Sequence, residues 1–428
     1  MRLIAAFVAL AFCGSAQAAS MPATPVGDFT KTMSINAHIG RTYYAYADMA
    51  LTESMFTYIG IFRTRVGMSK YTDPVTESVY GSTVRLPQIY NDIGVTFTAT
   101  ISAFADFDFH RAFIADHSEM FDAVEGRNEP DGNPFTYNGL TGFNSITAYQ
   151  NDLFNSISSL CLPVFTYALA WSTSSVIQAL APAKGNFLAL HLYPYIWNAL
   201  NNPWDTFTYR KGLYSALKPG APFVITETGY YTVPSASPRE GVSEAVQAKY
   251  TLNTYPAAFL AGSCSTNIYE MCDETSDPLG LDYEWHFGLF HYDGTPKPAA
   301  TALRNFVALL TAGEPARTEK VRLCSTITST GSLDYSTTTL PGSVKQLLLR
   351  KTDNSYWLLV WNDVTIWNGT THEEIPIDPI GTTVTLADAA ASITVYNPYL
   401  GTTEQTLTNT DSVTLDVLEY VKLIKVVL

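Results

Sequence analysis

The chain has 428 residues, of which 46% are hydrophobic and only 15% charged. That is too long for one small domain and too apolar for disorder, so two domains, or one large barrel with an appendage, are expected. With 39 acidic against 25 basic side chains the formal charge is −14, which argues against nucleic acid or an anionic membrane as partner, because repulsion would replace counterion release.

The first nineteen residues read as a secretory signal peptide, not as part of the fold. Arg2 gives a basic start, Leu3 to Cys13 an apolar run, and Ala16-Gln17-Ala18 a small-x-small cleavage site. That run is too short to span a bilayer, and no later stretch offers about 18 uninterrupted apolar residues. A secreted or periplasmic protein without a membrane anchor is expected, its charge moving to −15 as Arg2 leaves (−14 − 1). Cys161, Cys264, Cys272 and Cys324 remain, with no CxxC pair and no zinc-site spacing. Cys264 and Cys272 are candidates to bridge, but four cysteines allow three pairings, and buried free thiols are the alternative.

From Met33 to Leu310 short apolar runs alternate with amphipathic stretches. The strand-like runs are Met33–Ile39, Ile59–Val66, Val95–Ile101, Phe121–Glu125, Val164–Leu169, Phe187–Leu192, Phe223–Thr226 and Thr266–Met271. Ser145–Leu160 and Pro298–Leu310 space their apolar residues three and four apart, as helices do. Eight strands interleaved with helices have the size and rhythm of a (β/α)8 TIM barrel, expected over residues 20–312. A doubly wound open sheet is the competing layout, but no GxGxxG or P-loop follows an early strand.

Thr311-Ala312-Gly313-Glu314-Pro315 reads as a helix stop and linker. Residues 313–428 then carry strand-like runs at Val344–Arg350, Tyr356–Trp361, Thr382–Leu386, Ile393–Tyr396 and Tyr420–Leu428, separated by turn signals such as Asn368-Gly369. A β-sandwich is expected, serving either as a stabilising lid on the barrel or as a sugar-binding module.

In a barrel, functional groups sit at the C-terminal ends of strands. The fourth run ends Glu125-Gly126-Arg127-Asn128-Glu129-Pro130, and the seventh ends Thr226-Glu227-Thr228-Gly229. Each puts a glutamate directly after a buried strand, where a charge is costly unless it is paired or functional. The two lie 98 residues apart (227 − 129), about three βα units, so their carboxylates can converge across the mouth. The alternative for either one alone is a salt-bridged strand end. Trp171, after strand five, is a candidate stacking platform for a sugar ring or a core residue.

Asn128-Glu129-Pro130 and Thr226-Glu227-Thr228-Gly229 resemble the acid/base and nucleophile motifs of clan A retaining glycoside hydrolases. His191-Leu192-Tyr193 resembles the His-x-Tyr pair found after strand six in that clan, and Gly288-Leu289-Phe290 through Pro298 resembles the segment leading into the last barrel helix. With a sandwich following the barrel, the chain looks most like the family 39 glycosidases and their relatives. The resemblance implies that Glu129 is the acid/base and Glu227 the nucleophile of a cofactor-free, metal-free cleavage of β-glycosidic bonds in a poly- or oligosaccharide. It further implies that Asn128 holds a sugar hydroxyl, that Tyr193 donates to Glu227, and that His191 positions substrate or neighbouring polar groups. Partial burial and a neighbouring carboxylate are expected to raise the Glu129 pKa. Arg65 matches the arginine that supports the nucleophile in many clan members, with Arg63 on the same face as competitor. Strand eight departs from the clan: in place of the frequent tryptophan stands Tyr269-Glu270-Met271-Cys272-Asp273-Glu274. Tyr269 and Glu270 are therefore candidates for substrate contact, and Glu270 or Asp273 alternatively pairs with Arg65 or Arg127. A non-catalytic glycan-binding barrel and a transglycosylase with the same site are the competing functions. No Gly-x-Ser-x-Gly elbow, HExxH or EF-hand loop is present in the sequence.

Overall fold

Eight parallel strands form the barrel: Met33–Asn36, Arg63–Gly67, Thr96–Thr100, Phe121–Glu125, Val164–Phe165, Leu188–His191, Phe223–Thr228 and Ser263–Ile268. The computed structural model describes residues 19–41, 44–72, 79–101, 106–170, 173–194, 201–233, 241–316, 321, 323–324 and 329–428, so the expected signal peptide lies outside the described residues except for Ala19, its last. Strands pair in sequence order, and strand eight returns to strand one with Asn267 beside Ser34. A parallel bridge between Phe165 and Phe187 closes strands five and six. Each strand is buried along nearly its whole length because helices cover one face and the barrel interior the other, although strands two, three and eight bury several polar side chains.

The helices that follow the strands span Met49–Ile59, Ser82–Ile93, Phe107–Asp116, Gly142–Ser158, Ser174–Leu180, Pro203–Tyr214, Glu244–Leu260 and Pro298–Thr311. Strand two, expected from Ile59, starts at Arg63. Ile59 instead completes the preceding helix, which Asp48 caps by accepting from Leu51 N and Gly60 ends at a φ of +80°. Within the described residues no helix is long and apolar enough to cross a membrane.

The C-terminal strands include Ser332–Thr337, Val344–Arg350, Tyr356–Asn362, Ile380–Asn397, Thr402–Val417 and Lys422–Val427. The runs expected at Thr382–Leu386 and Ile393–Tyr396 are one long strand, with an irregularity between Thr385 and Ala390, that pairs with Thr402–Val417 along its length. This strand also pairs with Ser332–Thr337 near one end and Lys422–Val427 near the other, and so joins the layers of the sandwich. Ala19–Pro22 and Thr24–Pro25 add to the same sheet, against Ser332–Thr337 and Leu349–Arg350. Residues 20–25, assigned to the barrel on sequence, thus pair with the C-terminal strands.

Tyr356–Asn362 is buried on both faces. Tyr356, Leu358 and Val360 point into the sandwich core, whereas Trp357, Leu359 and Trp361 belong to the same apolar cluster as the barrel interior and helices. Trp361 Nε1 donates to Asp363 Oδ2 at 2.7 Å, and Asp363 Oδ1 accepts from Asn202 Nδ2 at 2.6 Å and Trp204 N at 3.2 Å at the start of the sixth helix. Asn253 in the seventh helix bonds Glu419 O at 2.8 Å and Val421 N at 3.1 Å. Lys351 Nζ covers the open carbonyls of Leu309 and Ala312 at the end of the eighth, at 2.6 and 2.9 Å. The sandwich is therefore continuous with the barrel core. Trp361→Ala is expected to lower stability by about 3–5 kcal/mol, read as a fall in the urea midpoint. Deleting 316–428 is expected to cost solubility.

Cys264 is bridged to Cys324, tying strand eight to the segment beyond the last helix, while Cys272 is a buried free thiol and Cys161 an exposed one. The Cys264–Cys272 bridge, one of the alternatives the sequence left open, does not form. Cys264 lies near the start of strand eight and Cys272 past its end, and the strand from Cys264 to Ile268 alone spans about 13 Å at about 3.3 Å per residue, beyond bridging distance.

Candidate active site

Strand four ends at Glu125 and the chain turns at Gly126, where a Cβ would lie 2.2 Å from Gln150 Oε1 and 2.6 Å from Tyr167 N. This close approach carries Asn128 and Glu129 over the barrel mouth. Glu129 takes a φ of +42°, a conformation rare for residues with a side chain. The turn is held by Gly132 N and Asn133 N, which both donate to Glu129 O at 3.1 and 3.0 Å. Across the mouth strand seven delivers Glu227. Its follower Gly229 passes so near strand eight that a Cβ would stand 2.1 Å from Tyr269 O.

Arg65, at the top of strand two, joins these ends. Its Nη1 donates to Glu227 Oε1 at 2.7 Å, its Nη2 to Asn128 Oδ1 at 2.7 Å, and its Nε to Glu125 Oε2. Thr100 adds a hydroxyl bond to the same Glu125 oxygen at 3.1 Å. Arg63 points into the same interior two residues lower, where it pairs with Asp122 at 2.9 Å near the barrel floor. In-out alternation gave both arginines one face; height along the strand separates them. Tyr193 OH donates to Glu227 Oε2 at 2.7 Å, and burial together with Glu227 pushes its pKa well up, so the phenol stays a donor.

His191 lies between the two glutamates, its Nδ1 at 2.7 Å from Glu129 Oε1 and 3.4 Å from Glu227 Oε2. Oxygens of the two carboxylates come within 4.8 Å of one another. Burial depresses the His191 pKa, but Glu227 and Glu129 outweigh it and the net shift is upward. For Glu129 burial works upward, yet the His191 hydrogen bond and charge, with Arg65, hold the carboxyl below its usual range. The expected rise at Glu129 is thus reversed. A carboxylate neighbour raises a pKa only until a cation comes closer, and here His191 does.

The cleft encloses about 530 Å³ and is lined by Asn128, Glu129, His191, Tyr193, Glu227 and Tyr269 among others. Phe287 centres an aromatic wall, its ring 5.5 Å from Tyr193, 5.3 Å from Tyr269 and 5.2 Å from Tyr231. Glu284, in the short turn Tyr283–His286, also faces the cleft, and partial burial with Glu227, Asp282 and Glu129 nearby pushes it up to about 7. No strand-end pattern marks Glu284, since it sits in a loop that only the fold brings to the mouth. Trp171 lies outside the described residues.

Strand eight corrects one expectation. Tyr269 reaches the cleft, but Glu270 is fully buried behind it, accepting from Tyr46 OH at 2.9 Å and standing 3.2 Å from His38 Nε2. It pairs with neither Arg65 nor Arg127. Alternation past Tyr269 turns its side chain away from the opening, and burial, then Glu274, raises its pKa well above the usual range. Asp273 is held by Lys297 at 2.7 Å and Gly288 N at 2.9 Å. Among the described residues two His–carboxylate groups bring donor atoms within 4.8 Å, Glu129–His191–Glu227 and His38–Glu270–Glu274. An arginine already shares each, Arg65 on Glu227 and Arg41 on Glu274.

The chain matches no protein-family model and no curated protein. Among solved structures it is similar to a family 39 glycoside hydrolase from Bacteroides cellulosilyticus, at a TM-score of 0.61 and 12% identity over 94% of this chain and 81% of that one. A monomeric β-xylosidase from Caulobacter crescentus aligns at 0.58 and 14%, over 95% and 97% of the two chains. A family 39 enzyme from Xanthomonas axonopodis pv. citri aligns at 0.56 and 14%, over 95% of each. The chain therefore has the clan A, family 39-like fold: a (β/α)8 barrel carrying a C-terminal β-sandwich.

Proposed function

We propose that the protein is a secreted retaining glycoside hydrolase, with Glu227 as nucleophile and Glu129 as acid/base. The observation that carries this reading is the separation of the two carboxylates, whose oxygens come within 4.8 Å in one open cleft. A retaining site needs about 5–5.5 Å between carboxyl groups, whereas inversion needs about 6.5–9.5 Å to seat a water. Fold likeness to glycoside hydrolases supports the reaction class by analogy only.

Glu227 Oε attacks the anomeric carbon of a β-linked sugar as the bond to the leaving oxygen breaks, and Glu129 gives that oxygen a proton. The proton is stored on the His191–Glu129 pair. While Glu227 is an anion it favours the imidazolium; as Glu227 becomes an ester that attraction vanishes, and the proton moves through Glu129 to the leaving group. In the second half Glu129 takes a proton from water, which attacks the anomeric carbon and releases Glu227. Arg65 and Tyr193 hold both Glu227 oxygens throughout, fixing the attack geometry. Asn128, whose Oδ1 accepts from Arg65, bonds the sugar hydroxyl next to the reacting carbon in this reading.

A panel of bacterial exopolysaccharides and plant glycans, followed by NMR of the first-formed anomer, tests the reading. Cleavage with an initial β product is expected. An initial α product overturns retention, and an inert panel overturns the enzyme.

A further inference from the structure

Glu125 is fully buried three residues before Asn128, on the strand that delivers Glu129. It does not itself line the cleft, but both residues that it bonds do. Its partners are the Arg65 Nε and the Thr100 hydroxyl. Arg65 is surrounded: Glu125 from strand four, Glu227 from strand seven, Asn36 Oδ1 at 3.4 Å from strand one, and Asn128 Oδ1. His191, Glu129 and Tyr193 interact with its charge from the cleft side, and His38 from strand one.

The charges at the mouth can be counted. Arg65 is positive, and Glu125 and Glu227 are negative. His191 and Glu129 share one proton and together are neutral. With Glu125 the group carries one net negative charge; without it, Arg65 and Glu227 would cancel. We propose that Glu125 is a positioning residue whose charge neutralises Arg65 from behind, so that Arg65 orients Glu227 without cancelling it. This keeps the cleft floor anionic, which suits an oxocarbenium-like transition state and holds the shared proton on the His191–Glu129 pair. The inference deepens the glycosidase reading and rests on it for its catalytic consequence, but its electrostatic core stands on the geometry of the Arg65 cluster.

The test is therefore read first without activity, as the His191 ring titration followed by NMR in the full chain. In Glu125→Gln, which keeps shape and removes charge, Arg65 is uncompensated and His191 should titrate lower by about one pH unit. Glu125→Asp keeps the charge and should titrate close to wild type. Should Glu125→Gln fail to fold, the pair Arg65→Lys and Arg65→Lys/Glu125→Gln, which keeps a cation in front of Glu125, replaces it. Removing the Glu125 charge in that background should again lower the titration. A purely structural Glu125 gives the opposite ranking, Gln tolerated and Asp disruptive, with the His191 midpoint unmoved; that result overturns the proposal. Kinetically, Glu125→Gln should lower kcat by about 10–100-fold with KM little changed, because a neutral ground-state sugar does not feel the charge and the cationic transition state does. Wild-type activity in both Glu129→Ala and Glu227→Gly would defeat the glycosidase reading alone, leaving the titration to decide on Glu125.

Discussion

Glu227→Gly is expected to abolish turnover of a β-glycoside, by on the order of 10⁴-fold or more, which is about 5.5 kcal/mol of transition-state stabilisation. In the proposed mechanism the covalent bond to the sugar has no other acceptor, since Glu129 serves the leaving-group side of the scissile bond. The cavity left by the side chain admits azide, which attacks the same face as Glu227 and should return an α-glycosyl azide from an activated β-substrate. Glu129→Ala should behave differently. Loss of a positioned acid costs about 10²–10⁴-fold where the leaving group needs a proton and little where it does not. The covalent intermediate still forms, so azide should now yield the β-azide. Product NMR of the two variants checks the assignment. Opposite anomers would reverse the roles, and wild-type rates in both would place the chemistry elsewhere.

Arg65→Ala is expected to be the most damaging substitution for stability and activity together. Arg65 is a buried cation bonded to Glu125, Glu227 and Asn128. Its removal leaves two carboxylates facing each other in the upper barrel without a counter-charge. Breaking a buried pair on one side costs about 3–5 kcal/mol. The loss should be largest near neutral pH and shrink towards pH 4, because unpaired buried carboxyls in the variant take up protons as pH falls and become tolerable neutral groups. Urea unfolding at several pH values measures this. Equal destabilisation at every pH would show that packing, not charge, sets the cost. Arg65→Lys should recover part of the stability but little activity, since one ammonium cannot serve partners on three sides of a planar guanidinium.

The two domains, with one continuous apolar cluster between them, bear on how the site is kept rigid. The helices that carry the sandwich follow strands six, seven and eight, the same strands that supply His191, Tyr193, Glu227 and Tyr269. Clamping those helices steadies one half of the mouth, and a deletion of 316–428 is expected to loosen it.

Much of this was written into short stretches of sequence. Each of the eight barrel strands overlaps one of the strand-like runs, because strands buried on both faces favour apolar and β-branched residues. Glu129 and Glu227 stood out because each lies close to the end of such a run, where a carboxylate is costly unless paired or functional, and because each sits in a motif with a family resemblance. Other features depended on residues far apart in the chain. Thr402–Val417 was missed because its Thr-rich alternation is exposed over much of its length, so only its partner strand shows that it is a strand. Arg65 was separated from Arg63 by height in the barrel, which follows from the strand register and not from alternation. The cystine of Cys264 went to Cys324 because a strand held extended keeps Cys272 out of reach. The direction of the Glu129 pKa shift and the surroundings of Glu125, Glu270 and Glu284 were decided in the same way. Local pattern fixes whether a side chain is buried and on which face of its own element, since those depend on a period of two or of 3.6. The sign of a charge's environment depends on which other strands deliver His191, Arg65 or Tyr46 within a few ångströms, and that is a property of the closed barrel alone.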